Sequence, residues 1–167
     1  MDEFQRDIIL ANGGQKASEN IIPGGNDMII KTTAEKDFIP TYAHESDAGA
    51  DLRACVDEEV KLWLGDRKTI PTGVRVELPA NIAGFVRSRS GLAKNHGVVA
   101  LEGTIDPGYR GEIGITMINH GERPYIVKRG DRIAQLVLVP VVHGTFIQAE
   151  KLSDSDRGES GFGASGR

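Results

Sequence analysis

Short apolar runs with a period of two, each broken off by glycine, proline or aspartate, recur along most of the sequence. Residues 74–78 (VRVEL) show it cleanly, with Val74, Val76 and Leu78 on one side and Arg75 and Glu77 on the other. That period places alternate side chains on opposite faces of a strand, so one face is buried and the other wetted. Residues 60–64 (VKLWL) alternate too, with Lys61 and Trp63 on one face; Trp63 is read as packing, not as a ligand platform. Residues 28–33 (MIIKTT), 125–127 (YIV) and 133–142 (IAQLVLVPVV) read as further strands. The connections are short and turn-rich at 79–82, 121–124 and 128–131, and 21 of the 167 residues are glycine. Many short strands joined by tight turns point to an all-β fold.

The length suits one domain with a real core. A net charge of −4 argues against a nucleic-acid coat, which needs a cationic face, so an anionic ligand must be small and locally held. Cys55 is the sole cysteine, which forbids a disulfide within the chain and fits a reducing compartment. No apolar run is long enough to span a bilayer, and the first residues do not resemble a secretory signal. A soluble, cytoplasmic protein is the expectation. Residues 1–27 read as a flexible N-terminal arm, 28–152 as the β-domain and 153–167 as a Gly-rich C-terminal segment.

Residues 103–111 (GTIDPGYRG) carry the first candidate site. Asp106 stands before Pro107 and Gly108, a strong turn signal, and Tyr109 and Arg110 follow. With strand character at 101–105 and 112–118, the segment reads as a hairpin with a wide loop that holds the carboxylate at its rim. On the turn alone, ordinary turn chemistry is the better reading of Asp106, Pro107 and Gly108, and other segments must be counted before that changes. At 41–54 (TYAHESDAGADLRA), Asp47 and Asp51 flank three small residues. An acid there can hold a metal or its water shell; taken alone, the segment reads as a solvated loop.

Residues 84–97 (GFVRSRSGLAKNHG) finish a strand and enter a short helix that Ser88 or Ser90 can cap. Arg, Ser and Gly at a helix start offer guanidinium, hydroxyl and backbone N–H groups to a phosphate, or simply a capped turn with solvated arginines. Gln135 lies within an apolar run, where its amide must either tie the core or face a ligand; the structural role is the default. Taken alone, 153–167 (SDSDRGESGFGASGR) reads as a flexible tail, yet Phe162 sits among its glycines, where a plain linker has no use for an aromatic. Such a segment can wrap phosphates and act as a lid.

Taken in order, DAGADL, RSRSGLA, GTIDPGYRG, RGDRIAQL and RGESGFGASG resemble the five motifs of the trimeric dUTPase family, from about residue 28 to the C-terminus. The resemblance implies a jelly-roll-like β-barrel with one short helix, a homotrimer, and a C-terminal tail closing over a shared active site. It implies hydrolysis of dUTP to dUMP and pyrophosphate with Mg2+, which keeps uracil out of DNA and supplies dUMP for dTMP synthesis. By the same resemblance, Asp106 activates the water that attacks the α-phosphorus, and Tyr109 packs on the deoxyribose. Arg89, Ser90, Gly91 and Gln135 contact phosphates, and backbone groups at Gly103, Thr104 and Ile105 read the base. Asp51 stands near the water shell of the metal. Arg157 reaches the γ-phosphate, while Phe162 and Gly163 belong to the segment that covers the uracil.

Three positions depart from the family pattern. Ser88 replaces a usual proline, Ser160 a usual glycine, and Ala100 an asparagine found in many relatives. Uracil recognition should then rest more on hairpin backbone groups. The related dCTP deaminases place a glutamate on the strand after the turn, where this chain has Thr116, which argues against deamination. A nucleotide-gated regulator or a structural jelly roll is the reading from another class, and the joint presence of Asp106, Arg157 and Phe162 speaks against a purely structural subunit.

Overall fold

The computed structural model describes residues 28–155 and 158–159. Expectations placed on the arm and on Arg157, Ser160, Phe162 and Gly163 lie outside the described residues. The rest is all-β and jelly-roll-like, with one α-helix among the described residues. Its strands are β1 (Lys31–Thr33), β2 (Gly49–Arg53), β3 (Val60–Leu62), β4 (Arg67–Pro71), β5 (Arg75–Glu77) and β6 (Ile82–Arg87). After helix α1 (Ser90–His96) come β7 (Val98–Ala100), β8 (Gly103–Ile105), β9 (Gly114–Asn119), β10 (Tyr125–Val127) and β11 (Arg132–Pro140).

Every pairing is antiparallel. One sheet runs β2-β11-β6-β8 and another β4-β9-β7, while β1-β5 and β10-β3 form two-stranded ribbons. The core lies between them. Leu52, Leu62, Ile70, Ile113, Ile115, Met117 and Ile133 are fully buried in it, each contributing about 1.5–3 kcal/mol by leaving water. The period of two is plain in β9, where Ile115, Met117 and Asn119 face inward. Asn119 is a buried amide with all its partners: Nδ2 donates to the carbonyls of Leu62 (3.0 Å) and Arg123 (2.9 Å), and Oδ1 accepts from Gly121 N–H (2.9 Å).

The structure corrects three expectations about local form. The strands flanking Asp106 do not form a hairpin: β8 pairs with β6, whereas β9 pairs with β4 and β7. Local strand character cannot say which partner a strand takes, and here the chain changes sheets between β7 and β8. Neither serine caps α1; Arg89 is the N-cap residue and supplies no side-chain bond. Gly97 ends that helix at φ +66°, a left-handed conformation suited to glycine. Trp63, expected to pack, is 53% exposed, with the Lys61 ammonium 3.8 Å from its ring centroid.

Candidate active site

Antiparallel register brings the polar residues of three motifs into one row. On β2, β11 and β6, Asp51 pairs with Gln135, and Gln135 pairs with Arg87. Asp51 is therefore a strand residue, only 4% exposed, and not part of a solvated loop. The expectation failed because alanine and glycine flanks carry no apolar signal, although in β2 they are buried. Asp47 does keep the turn role, its Oδ2 accepting from His44 N–H at 3.0 Å.

Two guanidinium groups compensate the buried carboxylate. Arg132 Nη1 donates to Asp51 Oδ2 at 3.1 Å, and Arg89 Nε lies 3.2 Å from Oδ1. That second contact satisfies an ion pair in distance but not a hydrogen bond in direction, so Oδ1 is buried without a hydrogen-bond donor among the described residues. Arg89 Nη1 also donates to the carbonyl of Arg132 at 3.2 Å. Arg132 is a member of the site that the sequence reading passed over; the RGDRIAQL motif contained it. Burial pushes the Tyr125 hydroxyl above its ordinary 10.0, Asp131 adds to the rise, and the positive field of Arg89 opposes it.

Gln135 does not tie the core. It is partly exposed and makes no side-chain hydrogen bond among the described residues. Its side chain lies across Gly49, where an added Cβ would stand 2.9 Å from Gln135 Cβ. Ser90 and Gly91 are exposed at the start of α1, and the space over Gly91 is open. Arg89, Ser90, Gly91 and Gln135 thus converge on the end of the sheet where Asp51 is buried, a surface with cations, free donors and room for an anion.

The Asp106 turn is elsewhere. Tyr109 N–H donates to Asp106 O at 3.0 Å, closing the turn, and Arg110 Nη1 braces it through the carbonyls of Pro107 (2.7 Å) and Tyr109 (2.9 Å). Tyr109 Oη donates to Glu112 O at 2.9 Å, which lays the ring over Gly111. The Asp106 carboxylate is exposed and has no hydrogen-bond or ion-pair partner among the described residues. Ile105 pairs with Gly84, three residues before the Arg87 row. The turn therefore starts about 10 Å along the strands from Gln135, and β6 intervenes. One protomer does not bring Asp106 and Tyr109 to Arg89 and Gln135.

A metal fits only in a limited way. No group of three or more His, Cys, Asp or Glu side chains able to hold an ion occurs among the described residues. A hydrated Mg2+ needs few protein ligands when phosphate oxygens supply the rest, and the Asp51 oxygen lacking a donor suits a water of such a shell. Thr116, at the position of the deaminase acid, lies on β9 with Oγ1 hydrogen-bonded to Thr69 Oγ1 (2.9 Å).

The dUTPase family profile matches residues 35–166. A deoxyuridine 5'-triphosphate nucleotidohydrolase of Leifsonia xyli is 51% identical over 131 residues, covering 77% of this chain and 85% of that one. The enzyme of the same name from Crocosphaera subtropica is 47% identical over 134 residues, covering 79% and 93%. Among solved structures, the Staphylococcus bacteriophage 80alpha dUTPase with dUPNHPP superposes with a TM-score of 0.77 at 31% identity, covering 83% of this chain and 99% of its own. A mutant dUTPase of S. aureus phage phi11, described as revealing the coordination of a structural Mg(II) ion, gives 0.68 at 28% identity, covering 74% and 98%.

Proposed function

The chain belongs to the dUTPase family and hydrolyses dUTP to dUMP and pyrophosphate, and from that premise we propose which of its residues carry each step. Asp106 is the general base. Its exposed, unpartnered carboxylate is free to accept a proton from water as the water oxygen bonds to the α-phosphorus. The bond from that phosphorus to the oxygen bridging to the β-phosphate breaks, and its electron pair leaves with pyrophosphate. Arg89 and the exposed start of α1 hold the phosphates, with Gln135 as a further donor. Tyr109, fixed by its bond to Glu112, offers a ring face to the sugar. Backbone groups of Gly103, Thr104 and Ile105 read the base, since β8 is the last strand of its sheet and one edge is unpaired among the described residues.

When bound, Mg2+ neutralises phosphate charge in a triphosphate. Asp51 would hold it through water, and Arg89 and Arg132 keep that acid in place. Arg157 would contact the γ-phosphate, and Phe162 and Gly163 would cover the uracil as parts of the lid.

The chain works as a homotrimer in this reading. The observation that carries it is the separation of Asp106 from the Arg89 and Gln135 end of the sheet, which a neighbouring copy removes by bringing its own turn. Residues beyond β11 support it: Val142, Phe146, Ile147 and Leu152 are 96%, 99%, 84% and 82% exposed. So much apolar surface on one stretch suits burial on another copy. No helix among the described residues is long and apolar enough to cross a membrane, and we place the enzyme in the cytoplasm.

Pyrophosphate release from a panel of deoxynucleoside triphosphates with Mg2+ tests the assignment. Asp106→Asn should lower dUTP turnover by about 10²–10⁴-fold; turnover equal to wild type would remove Asp106 from its role.

A further inference from the structure

The Ser88 hydroxyl bridges both peptide groups of Ala100. Its Oγ donates to Ala100 O at 2.8 Å and accepts from Ala100 N–H at 2.9 Å. The setting explains why such a bridge is needed. β7 is the outer strand of its sheet. Leu101 N–H donates inward to Thr116 O of β9 at 2.8 Å, and alternation along an antiparallel strand then turns the N–H and C=O of Ala100 outward. Among the described residues no strand lies on that side, and one serine oxygen takes the place of a neighbouring strand.

The bridge sits where the chain changes sheets. Ala100 ends β7, and Gly103 begins β8 against Val86 of β6. Ser88 follows the last residue of β6, with Arg89 next to it. A second tether runs alongside, an ion pair between Arg87 Nη1 and Glu102 Oε1. The strand end carrying Arg89 is thus fastened on both sides of the crossing to the segment that leads into Gly103, Thr104 and Ile105.

We propose that Ser88 is a positioning residue for base selection, its hydroxyl fixing the unpaired edge of β8 relative to the phosphate grip through Ala100. The inference rests on the reading that this edge reads the base. It also joins two departures from the family pattern: a proline at 88 has no hydroxyl to offer, and an alanine at 100 contributes only its backbone. Without the bridge, two backbone groups at a strand edge lose their partner, and the segment gains freedom to shift. A shifted edge still binds, but it discriminates less well between a ring acceptor and a ring donor.

The test measures kcat and KM separately for dUTP and dCTP in wild type, Ser88→Ala, Ser88→Cys and Ser88→Thr. Ser88→Ala should raise KM for dUTP roughly tenfold, with a smaller change in kcat. The dUTP-to-dCTP ratio of kcat/KM should fall by a similar factor. Ser88→Thr, which keeps the hydroxyl, should restore both. Should Ser88→Ala fail to fold, Ser88→Cys fills the same space with a poor hydrogen-bonding group and should still lower the ratio. An unchanged ratio in whichever of these two folds, or a fall that Ser88→Thr shares, overturns the proposal. Failure of the underlying reading is a separate result: wild type without a preference for dUTP, or Asp106→Asn with full turnover.

Discussion

Arg132 on β11 reaches from opposite Arg53 to the acid of Asp51 on β2, with Asp51 Oδ2 accepting from Arg132 Nη1 at 3.1 Å and the acid only 4% exposed. A carboxylate this buried is costly unless cations meet it. Arg132 and Arg89 meet it from two elements, so the acid orients the guanidinium expected to hold phosphate.

Replacing Asp51 by asparagine keeps its volume and removes its charge. Both arginines then lose their counter-ion; since they remain partly open to water, the loss should be near 1–3 kcal/mol and not the larger cost of a sealed pair. Urea unfolding should show a lower midpoint with an unchanged slope, and KM for dUTP should rise because Arg89 is no longer oriented. A midpoint and KM equal to wild type would show that the acid orients nothing.

The exposed stretch after β11 leads to a prediction about assembly. Changing Phe146 and Ile147 to serine alters nothing inside the protomer, because both side chains point into solvent there. If the stretch lies on a neighbouring copy, the double variant should shift from trimer toward lighter species in light scattering. Its turnover per chain should fall most at low protein concentration. A trimer of unaltered strength would remove this stretch from the interface.

Tyr125 predicts an alkaline effect. Burial and Asp131 raise its pKa above 10.0 in the fold, with Arg89 opposing. The folded state then keeps a proton that the unfolded state releases, so this contribution is complete below about pH 10 and is lost as pH rises through the folded value. Tyr125→Phe cannot ionise. Its urea midpoint should therefore decline less steeply than that of wild type between pH 9 and 11. Parallel declines would mean that the hydroxyl is not held neutral by the fold. The His96 ring, 5.1 Å from that of Tyr125, connects this residue to the end of α1.

Local chemistry was readable from the chain alone. The alternation at 74–78 identified β5 with its buried Val76 and exposed Arg75 and Glu77, the KRGD stretch identified a turn, and five motifs in order identified the family. These depend on neighbouring residues or on residue identity, which the sequence contains in full. Strand partners and burial depend on residues far apart in the chain, and only the tertiary structure decided them. GTIDPGYRG could not reveal that β8 and β9 part to different sheets, nor could DAGADL reveal that Asp51 would be enclosed by arginines from positions 89 and 132. The same holds for Ser88: only the fold brings its hydroxyl to both backbone groups of Ala100, at a strand edge with no other partner for them among the described residues.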